Sequence, residues 1–352
     1  MKIAIVLYTL SVGGAERVAL IWAKWLNSKD NNQATIITLR HKNGATYDAS
    51  GLHVVCIKEG HLISQLRNKI KEINPDIVLT MDVPMCIYTI PAMIGLRIKH
   101  VISERNDPSH FAGKWTTKIL SRMMMRKADG FVFQTKGAAD FYGGCISKKG
   151  TVIHNPLSDF TSYPNTTNIQ RCKNIVNVGR LHHQKNQCLL IRSFADFIKD
   201  NPDFTLTIWG DGPERENLEH LIDKLHLKDK VFLPGTAQNI FGKIKDASLF
   251  VLSSDFEGMP NALMEAMALG MPCISTDCPI GGPAELINNK ENGVLVPVGN
   301  QEALTMAMKE VIGDQKYAES LGANAKRIRE SHDSEVICQL WFDYFNKILA
   351  DS

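Results

Sequence analysis

Short apolar, β-branched runs alternate with segments of helical periodicity along most of this chain. A first series of such runs covers residues 2–154, and a second covers residues 174–296. This alternation is typical of successive βαβ units around a mostly parallel sheet. Between residues 156 and 171 the pattern lapses into a stretch rich in Pro, Asn and Thr, which predicts a linker. The chain is therefore predicted to be an α/β protein with two Rossmann-like domains.

The length of the chain predicts the same division. Its 352 residues exceed the roughly 250–300 residues at which one hydrophobic core stops growing. We predict a first domain over residues 1–160, a second over residues 161–333, and a C-terminal helix over residues 334–352 that packs back on the first domain. The apolar face of this helix is predicted to consist of Val336, Leu340, Trp341, Tyr344, Phe345 and Ile348.

The composition, with 44% hydrophobic and 22% charged residues, is that of an ordinary soluble globular protein. The apolar N-terminus is interrupted by a Gly-Gly pair and followed by an amphipathic stretch, which favours a buried strand over a signal peptide. We therefore expect a cytoplasmic protein. Its eight cysteines have no C-x-x-C spacing and are expected to be reduced residues of the core.

The two halves of the chain differ in charge. Residues 1–170 contain 21 basic and 12 acidic residues, whereas the remainder contains 19 and 25. A basic domain can face nucleic acid, anionic lipid or a phosphorylated acceptor, and charge does not choose among them. Neither half has Gly-x-Gly-x-x-Gly after a strand, which disfavours a nicotinamide or flavin dehydrogenase, and there is no Walker A sequence.

Two glutamates eight residues apart follow the predicted buried strand that ends at Leu252. Pro260 suits the first turn of a helix, so Glu257 is predicted in the strand-to-helix loop and Glu265 on the helix. Ligands of open α/β sheets bind beyond the carboxyl ends of the strands, and the amides of a helix N-terminus favour a diphosphate. One carboxylate can then meet sugar hydroxyls and the other a ribose diol. Two glutamates at this spacing also occur on an ordinary solvated surface.

With its neighbours, this segment resembles the family-4 retaining glycosyltransferases of the GT-B fold. Phe256-Glu257-Gly258 with Glu265 resembles the Glu-x7-Glu motif of that family. The other matching segments, in the family's order, are Asn177-Val178-Gly179-Arg180-Leu181 with Gln184-Lys185-Asn186, Gly210-Asp211-Gly212-Pro213, Phe232-Leu233-Pro234-Gly235, and residues 276–285 with Gly281-Gly282-Pro283. The resemblance implies two Rossmann-like domains that face each other across a cleft, with the nucleotide sugar on the second.

The resemblance also implies roles for single residues. Arg180 and Lys185 hold the donor diphosphate and stabilise its charge as it departs, while Glu257 positions the sugar. These three are the predicted catalytic residues. The predicted donor-binding residues are Gly13, Gly14, Glu16, Gly179, Gly210, Gly212, Pro234, Gly235, Glu257, Gly258, Met259, Pro260, Asn261 and Glu265. The chain contains no Asp-x-Asp, so we expect metal-independent catalysis with no cofactor beside the UDP-sugar.

In the first half, Gly13 and Gly14 end the first strand and open a helix. Glycine lets the backbone approach a ligand closely, although such a pair also forms purely structural turns. The family has a similar Gly-Gly-x-Glu here, which implies that this loop, with Glu16, faces the donor.

The Ser103-Glu104-Arg105-Asn106 segment follows the fifth apolar run. It resembles the Ser-Glu-Arg of family members that build bacterial surface polysaccharides or lipid-linked oligosaccharides. Glu104, Arg105 and Asn106 are therefore predicted cleft residues on the acceptor side. Many family members have a His near this strand end that contacts the donor sugar. This sequence has Glu104 or Arg105 there instead, so the resemblance does not imply that contact here. His100 and His154 lie nearby in sequence, and structural hydrogen bonding is the expected role of both.

Basic and apolar residues alternate at helical spacing over residues 114–127. The basic residues are Lys114, Lys118, Arg122 and Arg126, and Trp115, Ile119 and Met123 form an adjacent stripe. Such a helix can rest on anionic lipid headgroups. It can equally be an ordinary amphipathic helix that covers the sheet and exposes its basic face.

These observations predict a transferase that moves a hexose or N-acetylhexosamine from a UDP-sugar, and the family resemblance implies retention at the anomeric carbon. The expected acceptor is a sugar hydroxyl of a growing polysaccharide or of a polyprenyl-diphosphate-linked glycan. We expect a cytoplasmic protein in peripheral contact with the anionic inner face of the cell membrane, and no nucleic-acid partner. The alternatives are a GT-B-shaped epimerase or phosphorylase and a non-catalytic protein that binds nucleotide sugars.

Overall fold

The computed structural model describes residues 1–11, 13–40, 47–57, 60–110, 115–160, 163 and 171–351. Its contacts divide the chain into two compact units. Unit 1 consists of Met1–Pro156 with His332–Ser352, and unit 2 of Leu157–Ser331. Most of the predicted linker at residues 156–171 lies outside the described residues.

Unit 1 is a parallel sheet of seven described strands with helices between them. Its strands are β1 (Lys2–Leu7), β2 (Gln33–Thr38), β3 (His53–Cys56), β4 (Ile77–Met81), β5 (Lys99–Glu104), β6 (Gly130–Phe133) and β7 (Gly150–Val152). Its helices are α1 (Gly14–Asn27), α2 (Leu62–Ile73), α3 (Cys86–Met93), α4 (Trp115–Met125), α5 (Lys136–Tyr142) and α6 (Gly144–Lys148). The strand order is β3-β2-β1-β4-β5-β6-β7, and each neighbouring pair is parallel.

Unit 2 repeats this architecture with six described strands. They are β8 (Cys172–Val178), β9 (Thr205–Trp209), β10 (Val231–Gly235), β11 (Ala247–Leu252), β12 (Cys273–Thr276) and β13 (Val294–Val296). The helices are α7 (Gln187–Phe197), α8 (Arg215–Lys224), α9 (Ile240–Ile244), α10 (Asn261–Ala268), α11 (Gly282–Leu286), α12 (Gln301–Gly313), α13 (Gln315–Ala325) and α14 (Ile328–Ser331). All pairs in the order β10-β9-β8-β11-β12-β13 are parallel. The predicted α/β class with two Rossmann-like sheets is confirmed.

The order of each sheet reverses beside its first strand, so β1 lies next to β4 and β8 lies next to β11. The central strands are apolar runs because helices cover both of their faces. In β4 and β11, for example, every residue except Ser248 is buried. Since ligands of open α/β sheets bind at such reversals, the loops after β8 and β11 are the expected site of unit 2.

The chain ends in α15 (Ser334–Ala350), which packs on α1 in unit 1. The Asp333 side chain caps its first turn by accepting from the backbone N–H of Glu335 and Val336. The Trp341 ring lies 6.1 Å from that of Trp22, measured between centroids. The Tyr344 hydroxyl accepts from the N–H of Phe131 at 2.9 Å.

The predicted apolar face of this helix was wrong in part. Val336 and Leu340 are 48% and 47% exposed, whereas Ile337 and Cys338 are buried. The buried face is centred on Trp341, from which Ile337 and Phe345 are each four residues distant, about one helical turn. Val336 and Leu340 are apolar but lie beside that face, where no described residue of unit 1 covers them fully.

The expectation that all cysteines belong to the core was also wrong in part. All eight are free thiols, but Cys56, Cys145 and Cys172 are exposed. Cys56 ends the edge strand β3, Cys145 lies in the short α6 and Cys172 opens β8, so each lies where its sheet or helix meets solvent. None of the described helices is long and apolar enough to cross a membrane.

Candidate functional site

An ion pair joins the loops after β8 and β11 in unit 2. Lys185 Nζ lies 2.5 Å from Glu257 Oε1, and the Ser254 hydroxyl donates to the same oxygen at 2.6 Å. Glu257 is 5% exposed, and Glu265, one helix turn into α10, is 6% exposed. Glutamates on an ordinary solvated surface would be exposed. The interpretation of Glu257 and Glu265 as ordinary surface residues is therefore wrong. A buried carboxylate needs a cation and hydrogen-bond donors, and Lys185 and Ser254 supply them.

Four further hydrogen bonds hold the two loops together. The Ser253 hydroxyl donates to the Lys185 carbonyl at 2.9 Å, and the Asp255 N–H to the Gln184 carbonyl at 2.8 Å. Their other links are Gln184 Nε2 to the Phe256 carbonyl at 2.8 Å and Asn186 Nδ2 to Asp255 Oδ1 at 2.7 Å. The position of Lys185 is therefore fixed from both loops.

Arg180 differs from Lys185 in its surroundings. It is the second residue after β8 and is exposed, and its guanidinium makes no hydrogen bond or ion pair with any residue that the structure describes. Only its backbone carbonyl is engaged, by Gln187 Nε2 at 3.0 Å. Of the two predicted phosphate-binding cations, one is thus committed to a carboxylate and the other has five N–H donors available.

In the sequence, two histidines lie between Arg180 and Lys185. The ring centroids of His182 and His183 are 4.0 Å apart. Partial desolvation, followed by the nearby charges of His183 and Arg180, lowers the pKa of His182. Its imidazole is therefore neutral at pH 7 and adds no charge to the loop.

Glycine is required where backbone segments of the site touch. A Cβ on Gly282 would overlap the carbonyl oxygen of Gly258, so the N-terminus of α11 lies directly against the loop that carries Glu257. Gly210, at φ +142°, lies in the same way against the carbonyl of Gly179. Side chains at these positions would push the loops apart.

The remaining predicted donor-binding residues of unit 2 lie at the carboxyl edge of the same sheet. Gly179 follows β8, Gly210 and Gly212 follow β9, Pro234 and Gly235 end β10, and Gly258, Met259, Pro260 and Asn261 lead from β11 into α10. The helix begins at Asn261, one residue later than predicted. Pro260 is its N-cap, with ψ 101° outside the helical region. Their role in donor binding stays a prediction.

Sequence reasoning missed Arg215, the first residue of α8. Its Nε donates to Asp211 Oδ1 at 2.9 Å, and its Nη1 donates to the Leu233 carbonyl at 3.1 Å. Arg215 thereby joins the turn after β9 to the end of β10. The sequence feature that could have identified Arg215 is its position just after Gly210-Asp211-Gly212-Pro213.

The Gly-Gly loop of unit 1 forms the start of α1. Gly13 is the N-cap, with φ −164°, and Gly14 is the first helical residue. A Cβ on Gly13 would overlap the Glu16 carboxylate, so Glu16 folds back over the helix N-terminus. A carboxylate is favourable there because the first N–H groups have no helical partner. Val12, which precedes this pair, lies outside the described residues.

The predicted acceptor-side residues follow β5. Glu104 is 4% and Arg105 6% exposed, whereas Asn106 is exposed. Glu104 Oε1 accepts from the N–H groups of Arg105 and Asn106 at 3.0 and 3.2 Å, and Glu104 Oε2 accepts from the Tyr142 hydroxyl at 2.5 Å. Two of the three predicted residues thus belong to a buried network. The sequence analysis missed Asp82, which follows β4 and interacts with Glu104, although its strand-end position was a signal.

The two histidines of this region make hydrogen bonds with side chains of unit 1. His100 Nε2 lies 2.7 Å from Thr80 Oγ1, and burial lowers the pKa of His100 to about 4. His154 stacks on His332, with 3.1 Å between Nδ1 and Nε2. Burial, and then the neighbouring His154, lowers the pKa of His332 to about 4.

The apolar stripe of the predicted basic helix faces outward. In α4, Trp115, Ile119 and Met123 are 72%, 48% and 62% exposed, and Leu120 beside them is 48% exposed. Ser121 and Met125 form the buried side instead. In an ordinary amphipathic helix the apolar stripe would cover the sheet. The stripe of α4 does not. Lys114 lies outside the described residues.

Comparison with known proteins relates the part of the chain that contains this site to a family. Residues 161–328 match the family described as glycosyl transferases group 1. The chain is 32% identical over 241 residues to an uncharacterized glycosyltransferase of Methanocaldococcus jannaschii, a match that covers 62% of this chain. The chain spans 59% of the length of that relative.

A second relative matches along nearly its whole length. It is the Campylobacter jejuni N-acetylgalactosamine-N,N'-diacetylbacillosaminyl-diphospho-undecaprenol 4-alpha-N-acetylgalactosaminyltransferase, 27% identical over 361 residues, with 96% of this chain and 97% of the relative covered. Among solved structures, Anabaena HepE in complex with UDP-glucose superposes with a TM-score of 0.86 at 19% identity, covering 99% of this chain and 100% of the other. This likeness shows the fold, which is GT-B.

Proposed function

Since residues 161–328 match the glycosyl transferases group 1 family, we propose that this chain is a retaining glycosyltransferase that uses a UDP-sugar. It transfers a hexose or N-acetylhexosamine to a sugar hydroxyl of a lipid-linked or growing glycan. The observation that carries the proposal is the partly buried Lys185–Glu257 pair at the carboxyl edge of the unit 2 sheet, together with the Arg180 guanidinium, which has no partner among the described residues. The Anabaena protein of the same fold was solved with UDP-glucose, which supports UDP as the nucleotide.

The transfer separates charge, and unit 2 contains the groups to stabilise it. As the bond between the anomeric carbon and the diphosphate breaks, negative charge develops on the leaving oxygen. Arg180 donates to the phosphate oxygens in a bidentate manner, and Lys185 supplies a compact positive charge. The reaction needs no metal ion, because two cations and the amides at the start of α10 neutralise the diphosphate.

Glu257 positions the sugar in this proposal and does not attack it. The acceptor hydroxyl oxygen bonds to the anomeric carbon on the face that the diphosphate leaves, and its proton passes to the departing phosphate oxygen. Retention of configuration follows from this same-face exchange. Lys185 and Ser254 orient the Glu257 carboxylate for hydrogen bonds with sugar hydroxyls.

The outward face of α4 supports an acceptor at a membrane surface. Its exposed Trp115, Ile119 and Met123 lie beside the cations Lys118, Arg122 and Arg126. Aromatic and aliphatic side chains flanked by cations match an anionic lipid surface, where the apolar groups enter the headgroup region. The name of the Campylobacter jejuni relative describes a diphospho-undecaprenol acceptor, which is consistent with this surface. We place the protein at the cytoplasmic face of the cell membrane, with a polyprenyl-diphosphate-linked glycan as its acceptor.

UDP release from a panel of donors tests the function. UDP-glucose, UDP-galactose and their N-acetylated forms are incubated with the protein, with and without a membrane lipid extract as acceptor source. We expect one donor to release UDP faster with the extract. A protein that binds UDP but releases none from any donor would be a non-catalytic binder. Conversion of one UDP-sugar into another without acceptor, seen by thin-layer analysis, would indicate an epimerase.

A second experiment tests the membrane contact. Sedimentation with vesicles of phosphatidylcholine and phosphatidylglycerol compares the wild type with Trp115→Ala/Met123→Ala. We expect the wild type to sediment with anionic vesicles and less so at high salt, and the variant to stay largely in solution. Equal sedimentation of both proteins would contradict the proposed role of α4. Val336→Ala/Leu340→Ala, which removes two exposed apolar side chains from α15, is the matched control.

A further inference from the structure

Arg215 has a place in its helix that helix stability does not explain. It is the first residue of α8, where the free N–H groups and the helix dipole disfavour a cation. Its side chain is nevertheless only 28% exposed, so it packs against the protein and does not extend into solvent. The reason for an arginine at this position therefore lies in its contacts with the neighbouring strand ends.

The Arg215 guanidinium connects the ends of two neighbouring strands. On the β9 side, its Nε donates to Asp211 Oδ1 at 2.9 Å and its Nη2 to the Gly210 carbonyl at 3.4 Å. On the β10 side, its Nη1 donates to the Leu233 carbonyl at 3.1 Å. The forked donors of one guanidinium thus fix the end of β10 against the turn after β9.

The end of β10 depends on this contact because its pairing with β9 is irregular. Between Phe232 and Gly235 the register shifts by one residue, so that two residues of β10 lie opposite one residue of β9. Such a bulge interrupts the ladder of hydrogen bonds. One of the two bulged residues is Pro234, which has no N–H to donate. Since β10 is also at the edge of the described sheet, Arg215 supplies support that the ladder does not.

The turn after β9 is itself joined to the loop that carries Arg180. The Leu181 N–H donates to the Asp211 carbonyl at 3.0 Å. A Cβ on Gly212 would overlap the Leu181 carbonyl oxygen, so the two segments lie in direct contact. The Arg180 loop, the turn after β9 and the end of β10 therefore form one connected edge, in which Arg215 is the link to β10.

This edge is the open side of the predicted donor site. On the opposite side of Glu257, the start of α11 lies against the Gly258 carbonyl and leaves no room for a Cβ on Gly282. The β9 and β10 ends carry glycines instead, and Phe232 on β10 is 44% exposed. A nucleotide whose diphosphate lies at Arg180 therefore has room for its nucleoside toward the end of β10.

We propose that Arg215 is a positioning residue for the nucleoside of the donor. It sets the position of the β10 end relative to the Arg180 loop, and thereby the space into which the nucleoside fits. The inference rests on the proposed function, which places the donor diphosphate at Arg180 and Lys185. Loss of Arg215 then weakens binding of the nucleoside and leaves binding of the diphosphate unchanged.

The test compares a ligand that contains the nucleoside with one that does not. Calorimetry measures the affinities for UMP and for inorganic pyrophosphate. For Arg215→Ala we expect UMP to bind about tenfold more weakly, as when one or two hydrogen bonds are lost, and pyrophosphate to bind within about twofold of the wild type. In UDP release from the best donor, KM should rise about tenfold and kcat stay within about twofold, because the nucleoside is bound alike before and during the reaction.

Two variants serve as controls. Arg192→Ala, which removes an exposed arginine of α7 in the same unit, should behave as the wild type. Asp211→Asn should change UMP affinity by less than about twofold, because its ion pair with Arg215 is largely exposed to solvent. A loss in Asp211→Asn equal to that in Arg215→Ala would place the effect in the ion pair and overturn the proposal.

Two results for Arg215→Ala would also overturn it. One is unchanged UMP binding, and the other is an equal loss of UMP and pyrophosphate binding, which indicates general damage to unit 2. If Arg215→Ala does not fold, Arg215→Lys decides, because lysine keeps the charge without the forked donors, and wild-type UMP affinity in that variant overturns the proposal. A wild type that releases UDP from no donor overturns the proposed function, whereas the two affinities still decide whether Arg215 positions the nucleoside.

Discussion

Lys185 and Glu257, 72 residues apart in the chain, form an ion pair of 2.5 Å that joins the loops after β8 and β11. Each of the two side chains depends on the other for its position in the site. Glu257 is buried, and without Lys185 its carboxylate would lack a cation. Lys185 is held in place by the same contact, and its ammonium has further N–H donors for a phosphate oxygen. The two side chains therefore act as one unit, and Arg180 acts beside them.

Replacement of Glu257 should separate catalysis from nucleotide binding. We expect Glu257→Ala to reduce transfer at least about a hundredfold, because the sugar loses its positioning carboxylate. UDP affinity should change little, since Arg180 and Lys185 both remain to bind the diphosphate. Arg180→Ala should weaken both UDP affinity and transfer by about tenfold or more, because a charge-assisted contact is lost. Calorimetry and UDP release measure the two quantities, and Glu291→Ala, at an exposed carboxylate, is the control. Normal turnover in Glu257→Ala would refute the site assignment.

The contact between Gly282 and Gly258 gives a second prediction. Gly282→Ala should displace the loop of Glu257, because the added Cβ overlaps the Gly258 carbonyl. Transfer should fall about tenfold or more, as expected when a positioning group moves by about 1 Å. Gly313→Ala, at the end of α12, is the control because no described atom outside its own helical turn and chain neighbours lies within 4 Å of its Cβ position. UDP release and thermal unfolding are measured for both. Equal activity of the two variants would show that the Gly258 loop tolerates the displacement.

The C-terminal helix should contribute strongly to the stability of unit 1. Trp341 is 1% exposed and packs against Trp22 and Phe345. We expect Trp341→Ala to lower the free energy of unfolding by about 3–5 kcal/mol, as for other buried aromatic side chains. Leu340→Ala, which truncates its 47% exposed neighbour, should change it by less than about 1 kcal/mol. Urea unfolding followed by circular dichroism measures both. Similar losses would mean that the helix face is assigned incorrectly.

His100 should make unit 1 less stable in acid. Its pKa in the folded chain is about 4, below the ordinary value of 6.5. Between these values the unfolded chain binds a proton that the folded chain excludes, so stability is complete above about pH 6.5 and is lost as pH falls toward 4. The loss is up to about 3 kcal/mol from this residue, and His332 acts in the same window. His100→Gln should flatten the dependence of unfolding free energy on pH, measured by urea unfolding from pH 4 to 7. An unchanged slope in that variant would exclude His100 as its source.

The chain's periodicity alone determined most of the architecture. Apolar β-branched runs between helical segments predicted two parallel sheets, and the two predicted series, at residues 2–154 and 174–296, begin and end within about two residues of the observed strands. Glu257 and Glu265 were correctly placed in a strand-end loop and on the following helix. These features are local, because the periodicity of a segment depends on which of its own faces is buried.

The tertiary structure decided which side chains meet. Lys185 pairs with Glu257 because the sheet places β8 beside β11, and Asp82 meets Glu104 because β4 lies beside β5. Likewise, Leu340 is exposed and Cys338 buried, although both are apolar, and the stripe of α4 faces outward. Local sequence does not contain this information, since the burial of an apolar side chain depends on the neighbours that the completed fold places against it.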